Sequence, residues 1–504
     1  MGTLAPCPHG GCKRIPVCRS TSFGLLTILL ASALSTCTVG PDYVKQDPIL
    51  PARFQADHDT SGAVRRPAPG YDWWKEFDDP QLNELIARAV KEAPTLSAAE
   101  ARIRSARALR SIAGTADFPD LNLSAGYDRS HGSNNVPTGV PPGGLGPGIT
   151  SNLWQAGFDS SWELDIFGAS RRSVEAASAD LQAYEFDLND IRLTLIAEII
   201  RTDMEARTAG LRLNVAESVR KTEEERRDLI QSLVRAGLAS SLDFYAARAR
   251  VEAAAAAIPA IEGDLRTARF RMAALVGCTP DELPAQFPTS EPLPEPVLSF
   301  SAGLPSDLLR RRPDLRAAER RLAAANARIG VAQADLYPHF SLTAIAGLES
   351  LQLSTFHTGS SGYYAIGPGL GWNIFDAGKI HFEVMDATAR KEAGVAMYRS
   401  AVLNALRDAE VALEHVGNTQ IRLQALDRER SAYRDSAVDA KMLYLKGIES
   451  YLPSVDTEIA LYQSTDRYIL AKQDALLALV GLYKSIGGDW ASEDTSSSLP
   501  KKTK

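Results

Sequence analysis

A chain of 504 residues and 54.4 kDa sets a soft expectation of about three domains. Its 45% hydrophobic and 23% charged residues are those of a folded globular protein, not a disordered or collagen-like one. The 55 basic against 62 acidic residues leave a net charge of -7, which speaks against nucleic acid as a partner, and the lack of a run of about 18 apolar residues excludes an α-helical membrane transporter.

Residues 1–36 carry Lys13, Arg14 and Arg19 and no acid, followed by an apolar stretch from Phe23 to Leu34. That is the build of a secretory signal. The stretch ends in Leu34-Ser35-Thr36-Cys37, which resembles a bacterial lipobox and marks Cys37 as the lipidated first residue of the mature chain. Thr36 departs from the usual Gly or Ala, and plain secretion is the alternative. Thr38 is not the Asp of an inner-membrane retention signal, so the outer membrane is the expected destination. The irregular Cys7, His9, Cys12 and Cys18 group falls in the leader and is set aside as a metal site. Cys278 is then the only remaining thiol besides Cys37, so no intrachain disulfide framework is expected.

A proline-bearing arm, residues 37–72, leads into a first repeat over 73–278. It opens with a predicted helix over 95–115, halted by Pro119. The period then drops to two: Leu121, Leu123, Ala125 and Tyr127 alternate with Asn122, Ser124, Gly126 and Asp128. A second predicted strand alternates Trp154, Ala156, Phe158, Trp162, Leu164 and Ile166 with polar or small residues. Residues 169–236 hold Gly210 as their single breaker and predict one helix of roughly 100 Å at about 1.5 Å per residue. Leu181, Tyr184, Leu188, Ile191 and Leu195 step along it as a coiled-coil seam does. The helix turns at Gly237 and returns over 241–276.

A connector over 279–304, rich in proline and so not a continuous helix, precedes a second repeat over 305–490 with the same order of elements. Pro94-Thr-Leu-Ser-Ala-Ala-Glu100 recurs as Pro313-Asp-Leu-Arg-Ala-Ala-Glu319, and Trp162-Glu-Leu-Asp-Ile-Phe-Gly168 is echoed by Trp372-Asn-Ile-Phe-Asp-Ala-Gly378. Here a helix over 314–334 is followed by a strand with Phe340, Leu342, Ala344 and Leu348 on one face. The next strand sets Tyr364, Ile366, Leu370, Trp372 and Ile374 against Gly367, Gly369, Gly371 and Asn373. A long helix over 379–446, a tip at Gly447 and a return helix over 452–486 complete the repeat. Residues 491–504 lack apolar periodicity and are expected to be disordered.

Alternation over about ten residues suits a strand with one face in lipid and one in water, and equally an ordinary half-buried antiparallel sheet. Four strands are too few to close where the smallest single-chain barrels use about eight. An open edge in lipid is forbidden, so transmembrane strands require oligomerisation, and three copies would supply twelve.

Cys37-Thr-Val-Gly-Pro-Asp-Tyr43, Trp73-Trp74-Lys-Glu-Phe77-Asp-Asp79-Pro80-Gln-Leu82, Arg312-Pro313-Asp314-Leu315 and Gly488-Asp-Trp490 resemble the TolC-like outer-membrane efflux proteins, in their NodT- or OprM-type lipoprotein branch. The resemblance covers residues 37–490 and implies a mainly α, internally duplicated chain. It also implies a homotrimeric twelve-stranded outer-membrane barrel continued by a periplasmic α-helical barrel, acting as the exit duct of a tripartite efflux system. Its implied partners are a periplasmic membrane-fusion adaptor, an inner-membrane efflux transporter and outer-membrane lipid. The adaptor would dock on Gly237, Leu238, Ala239 and Ser240 and on Gly447, Ile448, Glu449 and Ser450. A periplasmic gate would be formed by Asp243, Tyr444 and Asp456, although Glu449 stands where a basic residue would serve interprotomer salt links.

From the residues themselves, the two glycines read as helix stops and the serines as N-caps, with Ser240-x-x-Asp243 close to a capping box. If Asp243 or Asp456 faces a threefold axis, like charges would converge and raise carboxyl pKa values; as solvated helix-face acids they would do nothing of the kind. No phosphate-binding loop, G-x-S-x-G, H-E-x-x-H or clustered histidines occur, so no enzyme and no cofactor is expected. The competing reading is a periplasmic coiled-coil scaffolding lipoprotein without a pore.

Overall fold

The computed structural model describes residues 38–46, 48, 50–55, 72–135, 146–283, 287, 292–295 and 305–487. Cys37, the leader, the Gly488-Asp489-Trp490 segment and the C-terminal tail lie outside them. The chain is mainly α-helical and duplicated. After a single turn at Trp73–Phe77 come α1 (Pro80–Glu92), α2 (Pro94–Thr115), β1 (Asp120–His131), β2 (Thr150–Leu164), α3 (Ala169–Arg235) and α4 (Ser241–Val276). The second repeat supplies α5 (Pro313–Ala334), β3 (His339–Ser350), β4 (Gly362–Gly371), α6 (Lys379–Leu445) and α7 (Tyr451–Ile486). The helices expected from the sequence fall within one residue of these bounds, because glycine and proline end them. Helix α1 has no counterpart among those expectations. It is started by Asp79, whose carboxylate accepts from the Gln81 and Leu82 amides, with Pro80 at the first helical position.

The chain divides into two units. The first, residues 1–41, 113–174 and 327–386, carries one antiparallel sheet of order β1-β2-β3-β4. Its two hairpins share one register: Leu121 faces Ser160 in the first, and Phe340 faces Leu370 at the equivalent row of the second. The base of each hairpin is tied in the same way. The Trp162 indole donates to the Asp117 carbonyl at 3.1 Å and the Trp372 indole to the Leu336 carbonyl at 3.2 Å, both two residues ahead of a proline. Gly168 and Gly378, each at φ 88°, then start the long helices from a conformation that a side chain would strain. Two expectations fail here: β2 stops at Leu164, so Ile166 lies beyond it, and β4 stops at Gly371, so Trp372 and Ile374 lie beyond the strand rather than within it.

The second unit, residues 42–112, 175–326 and 387–504, holds the main apolar core. Trp73, Leu82, Ile86, Ile196, Ile199, Ile200, Met204, Met272, Leu315 and Tyr483 are almost wholly buried there. Trp73 packs 4.9 Å from Tyr483, whose hydroxyl donates to Glu76 at 2.8 Å. Arg207 lies in this core with 2% of its side chain exposed, paired with Asp79 and, at 2.8 Å, with Asp203. The expected leucine seam of α3 is corrected at its start. Ala176, Ala179 and Ala183 are the buried residues there, while Tyr184 is 39% exposed; small side chains permit closer helix approach than leucines would.

Candidate functional site at the helical tips

Each long helix ends in the same hydrogen-bonded reversal. The Gly237 amide donates to the Val234 carbonyl at 3.0 Å and the Leu238 amide to Leu233 at 2.8 Å. At the second tip Gly447 donates to Tyr444 at 2.9 Å and Ile448 to Leu443 at 3.0 Å. This pattern demands a left-handed residue after the helix, and both glycines supply it at φ 71° and 69°. The apolar residue that follows usually folds back on the helix. Here it does not: Leu238 is 76% and Ile448 67% exposed, with Leu242 beside the first tip at 74%.

The two return helices start differently. Ser240 accepts from the Asp243 amide at 3.2 Å, and the Asp243 carboxylate accepts from the Ser240 amide at 3.0 Å and its hydroxyl at 2.7 Å, which is a full capping box. These bonds, the hydroxyl first and then the amide, hold the Asp243 carboxyl below the usual aspartate range. Ser450 makes no such cap. The residue three positions on is Pro453, which has no N–H to donate. Of the two serines, only Ser240 therefore caps through its side chain. Between cap and stop Ala239 is half-buried and Glu449 is exposed.

Of the three residues expected at a gate, each has a partner within its own chain or stands near one. Asp456 pairs with Arg226, a side chain only 6% exposed that also lies 3.7 Å from Glu223. Tyr444 packs 4.9 Å from Tyr451, whose hydroxyl donates to Glu225 at 3.4 Å. Partial burial, then the Glu225 charge, raises the Tyr451 pKa. Asp243 is held by its own helix start. Arg226, Glu225 and Tyr451 are the members of this group that sequence reasoning missed. Their partners are more than 200 positions away, and no local pattern announces such a contact.

The sheet is the other functional surface. Leu121, Leu123, Ala125 and Tyr127 share a face with Trp154, Phe158, Phe340, Leu342, Tyr364, Ile366 and Leu370. Asn122, Ser124, Asp128, Asp159, Thr343 and Glu349 lie on the opposite one. Leu121 is 69%, Leu123 68%, Tyr364 84% and Ile366 71% exposed.

Comparison with known proteins bears on both surfaces. The sequence matches the outer membrane efflux protein family over residues 85–278 and 304–488. It is 32% identical over 488 residues, 94% of this chain and 98% of the relative, to the toluene efflux pump outer membrane protein TtgF of Pseudomonas putida. Among solved structures it resembles the outer-membrane channel OprN at 35% identity and a TM-score of 0.81, covering 90% of this chain and all of that one. It resembles the open state of the Neisseria gonorrhoeae MtrE outer-membrane channel at 28% identity and 0.77, covering 90% and 98%. Both the duplicated fold and the bare apolar sheet face accord with these likenesses, and the chain belongs to the outer membrane efflux protein family, whose members are transport ducts and not enzymes.

Proposed function

We propose that this chain is the exit duct of a tripartite efflux system, a homotrimer whose three four-stranded sheets close one twelve-stranded barrel in the outer membrane and whose helices form a tunnel in the periplasm. The carrying observation is the sheet's apolar face. A half-buried sheet in a soluble scaffold must have that face covered, whereas Leu121, Leu123, Tyr364 and Ile366 are more than two-thirds exposed. Lipid is the cover that this alternation fits, since every second side chain meets hydrocarbon.

In this reading residues 1–36 are removed, Cys37 carries the lipid anchor, and residues 37–72 form the arm that follows it. Repeats 73–278 and 305–490, joined by the 279–304 connector, build the duct, with residues 491–504 as a tail. The periplasmic membrane-fusion adaptor docks on Gly237, Leu238, Ala239, Ser240, Gly447, Ile448, Glu449 and Ser450. Exposed Leu238 and Ile448 provide the apolar surface, and the glycine-fixed turns hold it in one shape. Asp243, Tyr444 and Asp456 lie on the tunnel side just above, as the gate. Opening would then break the Arg226–Asp456 pair within each protomer. The inner-membrane transporter provides energy and selects cargo, so the duct conducts passively.

Mass and negative-stain imaging of protein extracted from outer-membrane vesicles in mild detergent test this. Three chains forming a cylinder with a tail of roughly 100 Å, the length that the helix rise gives, are expected. A water-soluble monomer or dimer would sink the duct and leave the scaffold.

A further inference from the structure

We propose that Tyr363 braces the barrel wall without narrowing the lumen: the opposed glycines Gly157 and Gly347 bend the sheet, and the tyrosine ring lies flat in the hollow they leave, clear of bulky cargo. The proposal rests on the trimeric duct reading and goes beyond it by naming the positions on which the size limit of the cargo depends.

One row of the sheet carries Ser124, Gly157, Gly347 and Tyr363 side by side on the polar face, one from each strand. The remaining polar-face positions of β4 are Ala365, Gly367, Gly369 and Gly371, so Tyr363 is the bulky side chain of that strand on this face. Strand side chains stand roughly perpendicular to a sheet, and a tyrosine standing so would keep its hydroxyl over β4. Neighbouring strands are about 4.7–4.9 Å apart, which puts β2 roughly 9.5 Å from β4 along the sheet. Yet the Tyr363 hydroxyl lies 3.0 Å from where a β-carbon would sit on Gly347 and 3.0 Å from where one would sit on Gly157. The ring therefore leans across β3 towards β2 instead of standing out.

The glycines permit this in two ways. A β-carbon on Gly347 would fall 2.6 Å from the Ala156 carbonyl oxygen and 2.7 Å from the Gly157 Cα, and one on Gly157 would fall 2.9 Å from the Ala346 carbonyl oxygen and 3.1 Å from the Gly347 Cα. Opposed β-carbons ordinarily stand about 4.5–5.5 Å apart. Strands β2 and β3 thus fold towards each other on this face, the tight bend that strand glycines allow at a barrel corner. The polar face is locally the concave one, which a closed barrel turns inward. Without side chains at the pair, the bend is also a hollow, and an aromatic ring laid over such glycines shields their backbone. Among the described strand residues Gly157 alone is buried, whereas Tyr363 remains 37% exposed. A covered glycine beneath a half-open ring is the arrangement of a tyrosine stowed against the wall.

A larger residue at either glycine would meet backbone and spoil the bend, so the test moves the tyrosine instead. A Thr343→Cys/Cys278→Ser background places a reporter thiol on the polar face, two rows nearer the strand ends that join the helices than Tyr363. Maleimide-polyethylene glycols of graded mass, added to intact cells, must pass the Tyr363 row to reach it. Tyr363→Ala removes the ring, and Tyr363→Ala/Ala365→Tyr moves it one row inward, opposite Ile345 and without a glycine recess. The largest reagent that labels the background protein should also label Tyr363→Ala, with none larger admitted, while trimers of that variant dissociate at a lower temperature in detergent. Labelling by the same reagent should be lost in the exchanged variant. Larger reagents entering Tyr363→Ala would show the ring standing in the bore, equal labelling of the exchanged variant would make the recess irrelevant, and an unchanged dissociation temperature would remove the brace; each overturns the proposal and leaves the duct standing. Trimers whose reporter thiol even N-ethylmaleimide fails to reach would take the polar face out of the lumen and overturn it as well. A protein that is monomeric in detergent would overturn the duct and the stowed ring together.

Discussion

Replacing Arg207 by methionine tests the helical core at its most polar point. Its guanidinium joins Asp79 and Asp203, and the three side chains are 2%, 4% and 0% exposed. Methionine roughly keeps the volume but withdraws the positive charge, leaving two carboxylates in a space nearly without solvent. Removing one partner of such a buried pair destabilises by about 3–5 kcal/mol. Asp79 retains the Gln81 and Leu82 amides. A surface control is Arg467, paired with Glu429 at 2.6 Å with the two side chains 46% and 34% exposed. Solvent screening limits that loss to about 0.2–1 kcal/mol. Thermal midpoints of the purified protein, compared at one scan rate because unfolding of such an assembly is governed by rate, should fall several-fold further for Arg207→Met than for Arg467→Met. Adding Asp203→Leu to Arg207→Met should recover part of the deficit, because the uncompensated charge leaves with it. Equal shifts for Arg207→Met and Arg467→Met would refute the reasoning.

Further outcomes concern the tips and the anchor. Leu238→Asp and Ile448→Asp should each weaken adaptor binding roughly tenfold or more in surface plasmon resonance, since burying each exposed side chain is worth about 1.5–3 kcal/mol; unchanged dissociation constants would move the docking site elsewhere. Deleting residues 237–240 and 447–450 should leave trimers by mass and abolish export in a susceptibility assay. The Asp243 carboxyl is held low, so its capping contribution is complete above the ordinary aspartate value of 3.8 and lost as pH falls through the lowered one. Amide exchange at Asp243 and Phe244 should therefore accelerate on acidification relative to the uncapped Ser450 tip, and no difference between the tips would refute the capping role. Cys37→Ala should remove metabolic palmitate labelling while trimers still form; labelling that persists would place the lipid on another residue.

The helices were legible because their ends are chemical. Gly237, Gly277, Gly447 and Gly487 all adopt positive φ at a helix stop, and residues of that kind stand out in a sequence. The strands were legible by their alternation. The failures have physical causes too. The Trp372 to Ile374 segment continues the alternation, but a strand also needs a neighbour, and alternation does not reveal whether one is present. Ser450 resembles Ser240 in sequence, yet Pro453 removes the amide that a cap requires. Contacts such as Arg226 with Asp456, or Arg207 with Asp79, join helices far apart in the chain and carry no periodic mark.

The two long helices have 67 residues each and the two return helices 36 each. One extra residue in a single helix would raise its tip by about 1.5 Å and rotate the tip residues by about 100°. Compensation in the adjoining return helix would restore neither the height nor the heading of the other repeat. Length in this protein is therefore inherited jointly: insertions that survive should appear in all four helices together, in steps of about seven residues, the shortest step that nearly restores the facing of a helix. Relatives with longer or shorter tunnels would be quantised in length, and a lone insertion midway along one helix would mark a sequence that no longer builds a level rim.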